Sequence, residues 1–240
     1  MKKILVVGAS GATGKLLVKD LLIRGAEVIA IVRSSSSLKH TFKSYPNYLE
    51  VSASITEMPE NELAAILVDC NVVLSCLGHN LDFRGMFGKP KRLVTDTIEK
   101  VSRVIELLRP DARVRVILMN TTGNRNRDIP EKPPLSQRIV ISILRLILPP
   151  HVDNEQAADF LRTYVGQRHS FIEWAAVRPD ALTDEIEVSK YEIHQSPTRN
   201  AIFDAGSTSR INVANFMANL ALDANLWGMW RGKMPVIYNV

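Results

Sequence analysis

Apolar residues cluster in seven short runs, at 4–7, 27–32, 48–52, 71–77, 114–119, 172–177 and 235–239, with stretches of helical spacing between most of them. A run in which neighbouring positions are nearly all apolar, instead of alternately apolar and polar, predicts a strand covered on both faces. Strands of that kind alternating with helices predict an α/β chain with a Rossmann-type, doubly wound, mainly parallel sheet of about seven strands and helices on both faces.

Two helical stretches differ in character. Between 91 and 108, Leu93, Val94, Ile98, Val101, Val104, Ile105 and Leu108 recur at helical intervals while Asp96, Glu99, Lys100, Arg103 and Glu106 fall elsewhere. This spacing predicts one buried face, with Pro110 helping to stop the helix. The stretch 135–148 follows Pro133-Pro134, and its only polar stripe is Arg138, Ser142 and Arg145. A helix apolar on every other side predicts an interior position, a subunit or partner interface, a lid over a substrate, or a membrane-surface contact. It is too short to span a bilayer.

The first run carries the strongest chemical signal. Ile4-Leu5-Val6-Val7 leads directly into Gly8-Ala9-Ser10-Gly11-Ala12-Thr13-Gly14 and then into the helical stretch Lys15–Leu22. The first turn of a helix offers unpaired N–H groups and the positive end of the macrodipole, which suits a pyrophosphate. Gly8 suits the tight turn out of the strand, Gly11 leaves no Cβ between backbone and phosphate, and Gly14 allows close helix packing. Gly8, Ser10, Gly11, Ala12, Thr13 and Gly14 are therefore the expected phosphate-binding residues. The spacing is G-x-x-G-x-x-G, not the G-x-G-x-x-G of the standard dehydrogenase fingerprint.

The residue after the second run selects the dinucleotide. An acid there would accept hydrogen bonds from the ribose hydroxyls of NAD, whereas Arg33 pairs with a 2′-phosphate, and Ser34, Ser35 and Lys39 follow as donors. The expected cofactor is NADP(H). Ligands of open α/β sheets bind at the carboxyl ends of strands, so three more segments become candidates: Cys76-Leu77-Gly78-His79-Asn80, Asn120-Thr121-Thr122-Gly123 and Arg178-Pro179-Asp180.

Composition narrows the picture. With 240 residues, 46% of them hydrophobic, the chain is expected to form one domain over 1–240, its substrate pocket built by the C-terminal part. No run of about 18 apolar residues predicts a membrane span. Met1-Lys2-Lys3 and the apolar tract after it are cut short by the glycine turn, so the start is not read as a targeting segment. Cys70 and Cys76 match neither a zinc nor a redox spacing and read as reduced thiols of a cytoplasmic protein. The formal charge of +5 invites a nucleic-acid reading, but the basic residues are scattered among acids. Nucleic acid is thus not the expected main partner, and a positive field would equally gather NADP.

These motifs, together with Trp174-Ala175-Ala176-Val177-Arg178-Pro179, Leu182-Thr183-Asp184 and Ser209-Arg210-Ile211-Asn212-Val213-Ala214, resemble the atypical short-chain dehydrogenase/reductase group. The likeness is to its NAD(P)H-binding branch, the NmrA-like proteins and the flavin reductase known as biliverdin reductase B. The resemblance covers nearly the whole chain. It implies a seven-strand doubly wound sheet, an NADP site at Gly8 to Gly14 and Arg33, and nicotinamide contacts near Gly78, Thr121 and Pro179, with Cys76 and Leu77 alongside. It also implies adenine near Ser54 and Ile55, although the family usually has an acid where Ser54 stands.

One departure concerns catalysis. Members that reduce carbonyls use Tyr-x-x-x-Lys, but here Tyr164 is followed at the fourth position by Arg168 and Tyr191 by Gln195. Counting back from Arg178-Pro179 puts His151 at the tyrosine position and Glu155 at the lysine position. A histidine donates a proton near neutral pH, and Glu155 could accept from ribose hydroxyls but cannot lower a neighbouring acid's pKa as lysine does. Flavin and quinone reductions ask less, because the proton can come from solvent. His151 and Thr121 are the expected catalytic contributors; the plainer alternatives are a surface or helix-capping histidine and a turn-forming threonine. The leading expectation is an NADPH-dependent reductase of a planar acceptor, a flavin or quinone. The alternative is an NADP redox-sensing regulator acting on a protein partner.

Overall fold

A computed structural model describes residues 1–33, 37–79, 88, 90–132 and 134–240, with Leu146 described by its backbone alone. The chain runs β1 (Lys3–Val7), α1 (Ala12–Ile23), β2 (Glu27–Val32), β3 (Tyr48–Ser52), α2 (Glu60–Leu67), β4 (Val72–Ser75), α3 (Leu93–Leu108) and β5 (Val114–Met119). There follow α4 (Leu135–Ile147), α5 (Pro149–Phe160) with a π-helical turn at Leu161–Val165, β6 (Ile172–Pro179), β7 (Ala181–Thr183) and β8 (Tyr191–His194). The last elements are β9 (Ser207–Ser209), α6 (Arg210–Leu222), α7 (Ala224–Trp230) and β10 (Val236–Asn239).

The main sheet has eight strands in the order β3-β2-β1-β4-β5-β6-β10-β8. All its pairs are parallel except β10 with β8. The order reverses between β1 and β4, which makes the doubly wound fold and its switch point. The strand beyond the expected seven is β8, four residues at the edge whose polar Glu192 and His194 gave no apolar run. A separate parallel pair joins β7 to β9.

Uninterrupted apolar runs are explained by two buried layers. Ile4 and Val6 of β1 pack with Leu17 and Leu21 of α1 and Phe216 and Met217 of α6. Leu5 and Val7 point the other way, onto Leu63 of α2, Ile98 and Val101 of α3 and Ala157 of α5. The helix 93–108 ends as expected before Pro110, with Arg109 left-handed at φ 45° and its N–H bonded to the Ile105 carbonyl.

The 135–148 stretch corrects an expectation. Its helix is not interior: Leu135, Ile139, Ile143 and Ile147 are 68%, 53%, 48% and 56% exposed. Their spacing of four puts them in one row on the outer side, whereas Gln137, Arg138, Ile141, Ser142 and Arg145 line a cavity. The few polar residues face inward because the space they meet is an open cavity and not a packed core. Among the described residues, no helix is long and apolar enough to cross a membrane.

Candidate functional site

The turn after β1 is held open by its glycines. Gly8 has φ +76°, and an added Cβ there would lie 2.5 Å from the Cys76 carbonyl carbon, so the turn nests against the end of β4. At Gly14 a Cβ would lie 2.1 Å from the Gly8 carbonyl oxygen, which fixes how closely α1 approaches the strand end. Gly11, the N-cap of α1, is exposed and has only the Gly8 carbonyl, at 3.3 Å, near an added Cβ. Among the described residues, no side chain caps the N-terminus of α1. A bare helix start beside an exposed glycine and a backbone cradle fits a dinucleotide pyrophosphate. Ser10, Ala12 and Thr13 stand in this turn, Thr13 buried and Ala12 exposed.

Arg33 follows β2 at its carboxyl end, exposed, and no carboxylate pairs with it among the described residues. A free guanidinium in that position fits a 2′-phosphate. Ser34 and Ser35 lie outside the described residues. Ser54 and Ile55 begin the turn after β3, with the Ser54 hydroxyl 3.1 Å from that of Thr56. Lys100 of α3 donates to the carbonyls of Ile55, Thr56 and Met58, and so anchors this turn from below. Sequence reading placed Lys100 only off the apolar face of this helix.

At the end of β4, Cys76 is buried and burial pushes its thiol up to about 12, leaving it neutral. Leu77 is half-buried, Gly78 is exposed, and nothing lies within 4 Å of a Cβ added at Gly78. His79 then turns inward. Its Nε2 lies 2.8 Å from Asp153 Oδ2 of α5, and Asp153 also accepts from the N–H groups of Val94 and Thr95 and from the Thr95 hydroxyl. Burial alone would raise the Asp153 pKa, but hydrogen bonds from His79, Thr95 and Val94 hold it low. An acid on α5 thus caps the start of α3 and fastens the β4 loop to it, a role that required knowing that residues 59 positions apart meet.

The end of β5 is fixed next. Asn120 is buried; its side chain donates to the Asn154 carbonyl of α5 and accepts from the Thr121 N–H. Thr121 Oγ1 accepts from the Gly123 N–H at 3.2 Å, the turn hydrogen bond that its plainer reading required. A Cβ on Gly123 would lie 3.3 Å from His151 Cε1 and 3.7 Å from Thr121 Oγ1, so His151 and Thr121 meet across this glycine. His151 is not a surface histidine: its side chain is 12% exposed.

His151 Nε2 is buried without a hydrogen-bond partner among the described residues, 3.5 Å from Glu155 Oε1. Both Glu155 oxygens accept from Arg145 of α4 at 2.8 Å. Burial alone would raise the Glu155 pKa, but His151 and the Arg145 guanidinium outweigh it and hold it at about 2. Glu155 is therefore tied to α4, each of its oxygens already accepting from Arg145.

Across the sheet, Pro179 ends β6, buried, and its carbonyl accepts from the Thr122 N–H. Burial raises the pKa of Asp180 beside it, partly offset by hydrogen bonds from Gly206 N–H and the Thr122 hydroxyl. Beyond these strand ends opens a cavity of about 680 Å³ whose walls include Thr122, Gly123, Arg125, Lys132, Arg138 and Arg199. Ser209, from the last quoted motif, caps α6 by accepting from the Asn212 N–H, a structural role.

Comparison with known proteins agrees with the fold. A short-chain dehydrogenase/reductase (wide type) from Veillonella parvula, solved in complex with NADP, superposes with TM-score 0.68 at 16% identity, covering 99% of this chain and 94% of its own. A protein of Streptococcus pneumoniae assigned as an NADH-flavin reductase superposes with TM-score 0.65 at 18% identity over the whole of both chains. An uncharacterized chloroplastic protein of Arabidopsis thaliana is 41% identical over 75 residues, 31% of this chain and 26% of its own length. Over residues 8–224, from the first glycine of the cradle to the start of α7, the chain matches the family described as NAD(P)H-binding, and it belongs to that family.

Proposed function

We propose that the protein is an NADPH-dependent oxidoreductase that reduces a planar acceptor, a flavin or a quinone. The observation that carries this reading is the intact glycine cradle, joined to a sequence count that sets Glu155, here bound to Arg145, where carbonyl reducers keep their lysine. A bound nicotinamide cofactor supplies hydride. The chain's own residues bind and align. Gly8, Ser10, Gly11, Ala12, Thr13 and Gly14 take the pyrophosphate, Arg33 and Ser34 the 2′-phosphate, and Ser54 and Ile55 the adenine. Cys76, Leu77, Gly78 and Pro179 stand at strand ends beside the nicotinamide, and Thr121 holds the β5 turn.

A preorganised ring-on-ring arrangement contributes through orientation, and water delivers the proton, so no tyrosine–lysine pair is required. His151, with its Nε2 turned to Glu155, assists at most as a secondary donor. The name of the Streptococcus pneumoniae neighbour supports a flavin acceptor. The NADP in the Veillonella parvula structure supports the phosphorylated cofactor.

The test is to mix the protein with NADPH and a panel of flavins and quinones while following nicotinamide absorbance. Acceptor-dependent oxidation is expected. Tight NADPH binding with no oxidation by any acceptor would replace this reading with that of an NADP redox sensor.

A further inference from the structure

The cavity beyond β5 and β6 is strongly one-signed. Among the described residues, six cations line it, Arg125, Arg127, Lys132, Arg138, Arg145 and Arg199, against a single carboxylate, Glu131. Glu131 is consumed by the buried Arg178. Three of the cations are also neutralised: Arg127 by Asp159 at 2.6 Å, Arg145 by Glu155 at 2.8 Å and Arg199 by Asp204 at 2.6 Å. The side chains of Arg125, Lys132 and Arg138 have no hydrogen-bond or ionic partner among the described residues.

Solitary solvated cations are ordinary on a protein surface. Here they converge on one concavity from the turn after β5, the segment before α4 and α4 itself. A polar side chain accompanies them: Gln137 is 7% exposed on the same wall, and its amide is unpartnered among the described residues. Lining the cavity, that amide keeps its hydrogen-bonding capacity free for a ligand. The orientation of α4 points the same way, since it turns Arg138 and Ser142 toward the cavity while its apolar row faces out.

We propose that Arg125, Lys132 and Arg138, with Gln137, form an anion subsite that binds a negatively charged substituent of the acceptor, a phosphate, sulfonate or carboxylate remote from the reducible ring. The proposal rests on the reductase reading for the ring itself. The subsite stands apart from the expected cofactor phosphates, because β5 lies three strands from β2, roughly 14 Å, and two strands from β1, roughly 10 Å. It makes the enzyme selective among acceptors by charge, through clustered cations in a concave, partly shielded site.

Binding to the protein saturated with NADP⁺, where no turnover occurs, tests this with two matched pairs: FMN against riboflavin, and a naphthoquinone sulfonate against the parent naphthoquinone. The charged member of at least one pair should bind tenfold or more tighter at low ionic strength, and the gap should shrink at about 0.5 M salt. The triple variant R125Q/K132Q/R138Q should equalise the pair while leaving Tm and NADPH affinity unchanged. Equal binding within both pairs, binding of neither pair, or a preference that survives in the variant would each overturn the subsite. A charge preference in protein that never oxidises NADPH keeps the subsite and ends the reductase reading. Oxidation by both members of a pair bound equally does the reverse.

Discussion

Arg178 and Glu131 form a buried bidentate ion pair behind the cavity wall, with Arg178 Nη2 2.7 Å from Glu131 Oε1 and Nη1 3.2 Å from Oε2. Their side chains are 0% and 6% exposed. The remaining guanidinium donors go to the carbonyls of Met234, Asn124 and Gln195, so one side chain at the end of β6 ties together the approach to β10, the turn after β5 and the residue after β8. Removing either charge strands the other in a desolvated place. E131Q should lower unfolding free energy by about 3–5 kcal/mol, whereas the double replacement R178M/E131L should cost less than either single change. Chemical denaturation of E131Q, R178M and R178M/E131L checks this, and a loss under about 1 kcal/mol for E131Q would show that the pair is relaxed by water.

Much of this frame was legible in the residues. The uninterrupted runs 4–7 and 114–119 and the glycine turn each specify a local conformation with few alternatives, and the structure follows them closely. Arg178 stood in a quoted motif, but Glu131 lies 47 residues away in an irregular segment with no periodicity to mark it. The same holds for His79 with Asp153. Sequence could not choose among the readings of 135–148, because a narrow polar stripe looks the same whether it faces solvent or an open cavity; the placement of Arg138, Ser142 and Arg145 on the cavity decides it.

The glycines of the cradle should separate stability from binding. A Cβ at Gly14 meets the Gly8 carbonyl at 2.1 Å, and backbone cannot yield cheaply, so G14A should destabilise the fold by about 1–3 kcal/mol. G11V adds bulk at an exposed helix start, where it should leave Tm nearly unchanged and abolish NADPH binding. Unchanged cofactor affinity in G11V, read by titration, would mean that the turn serves the fold alone.

Arg33 should set the choice of cofactor. A charge-assisted contact with a phosphate is worth about 1.5–3 kcal/mol, so NADP(H) should bind at least about tenfold tighter than NAD(H). R33A should erase most of that gap and leave NAD(H) affinity alone. Equal affinities in the unmutated protein would contradict the assignment.

Acid should act through Glu155. Its pKa in the folded chain, about 2, lies below the ordinary value of 4.5, so folding disfavours its protonation. The stability it contributes is fully present above about pH 4.5 and is lost as pH falls toward 2. E155Q should therefore reduce stability at pH 7 and flatten the decline across that acid window, as followed by thermal melts at several pH values. An unchanged acid profile would mean that Arg145 and His151 do not govern this carboxylate.

His151 should matter little to turnover. Its Nε2 is directed at Glu155, and its Cε1 lies behind Gly123, one residue removed from the cavity wall. If water protonates the reduced ring, H151A should lower kcat by about tenfold or less, well below the 10²–10⁴ of an essential general acid. Because the Glu155 interaction with Arg145 survives the substitution, the loss should not be traceable to a displaced α4, and Tm should fall only slightly. A drop of roughly a thousandfold with NADPH affinity intact would place histidine in the proton-donor role that tyrosine fills elsewhere, and would return carbonyl compounds as the leading substrates.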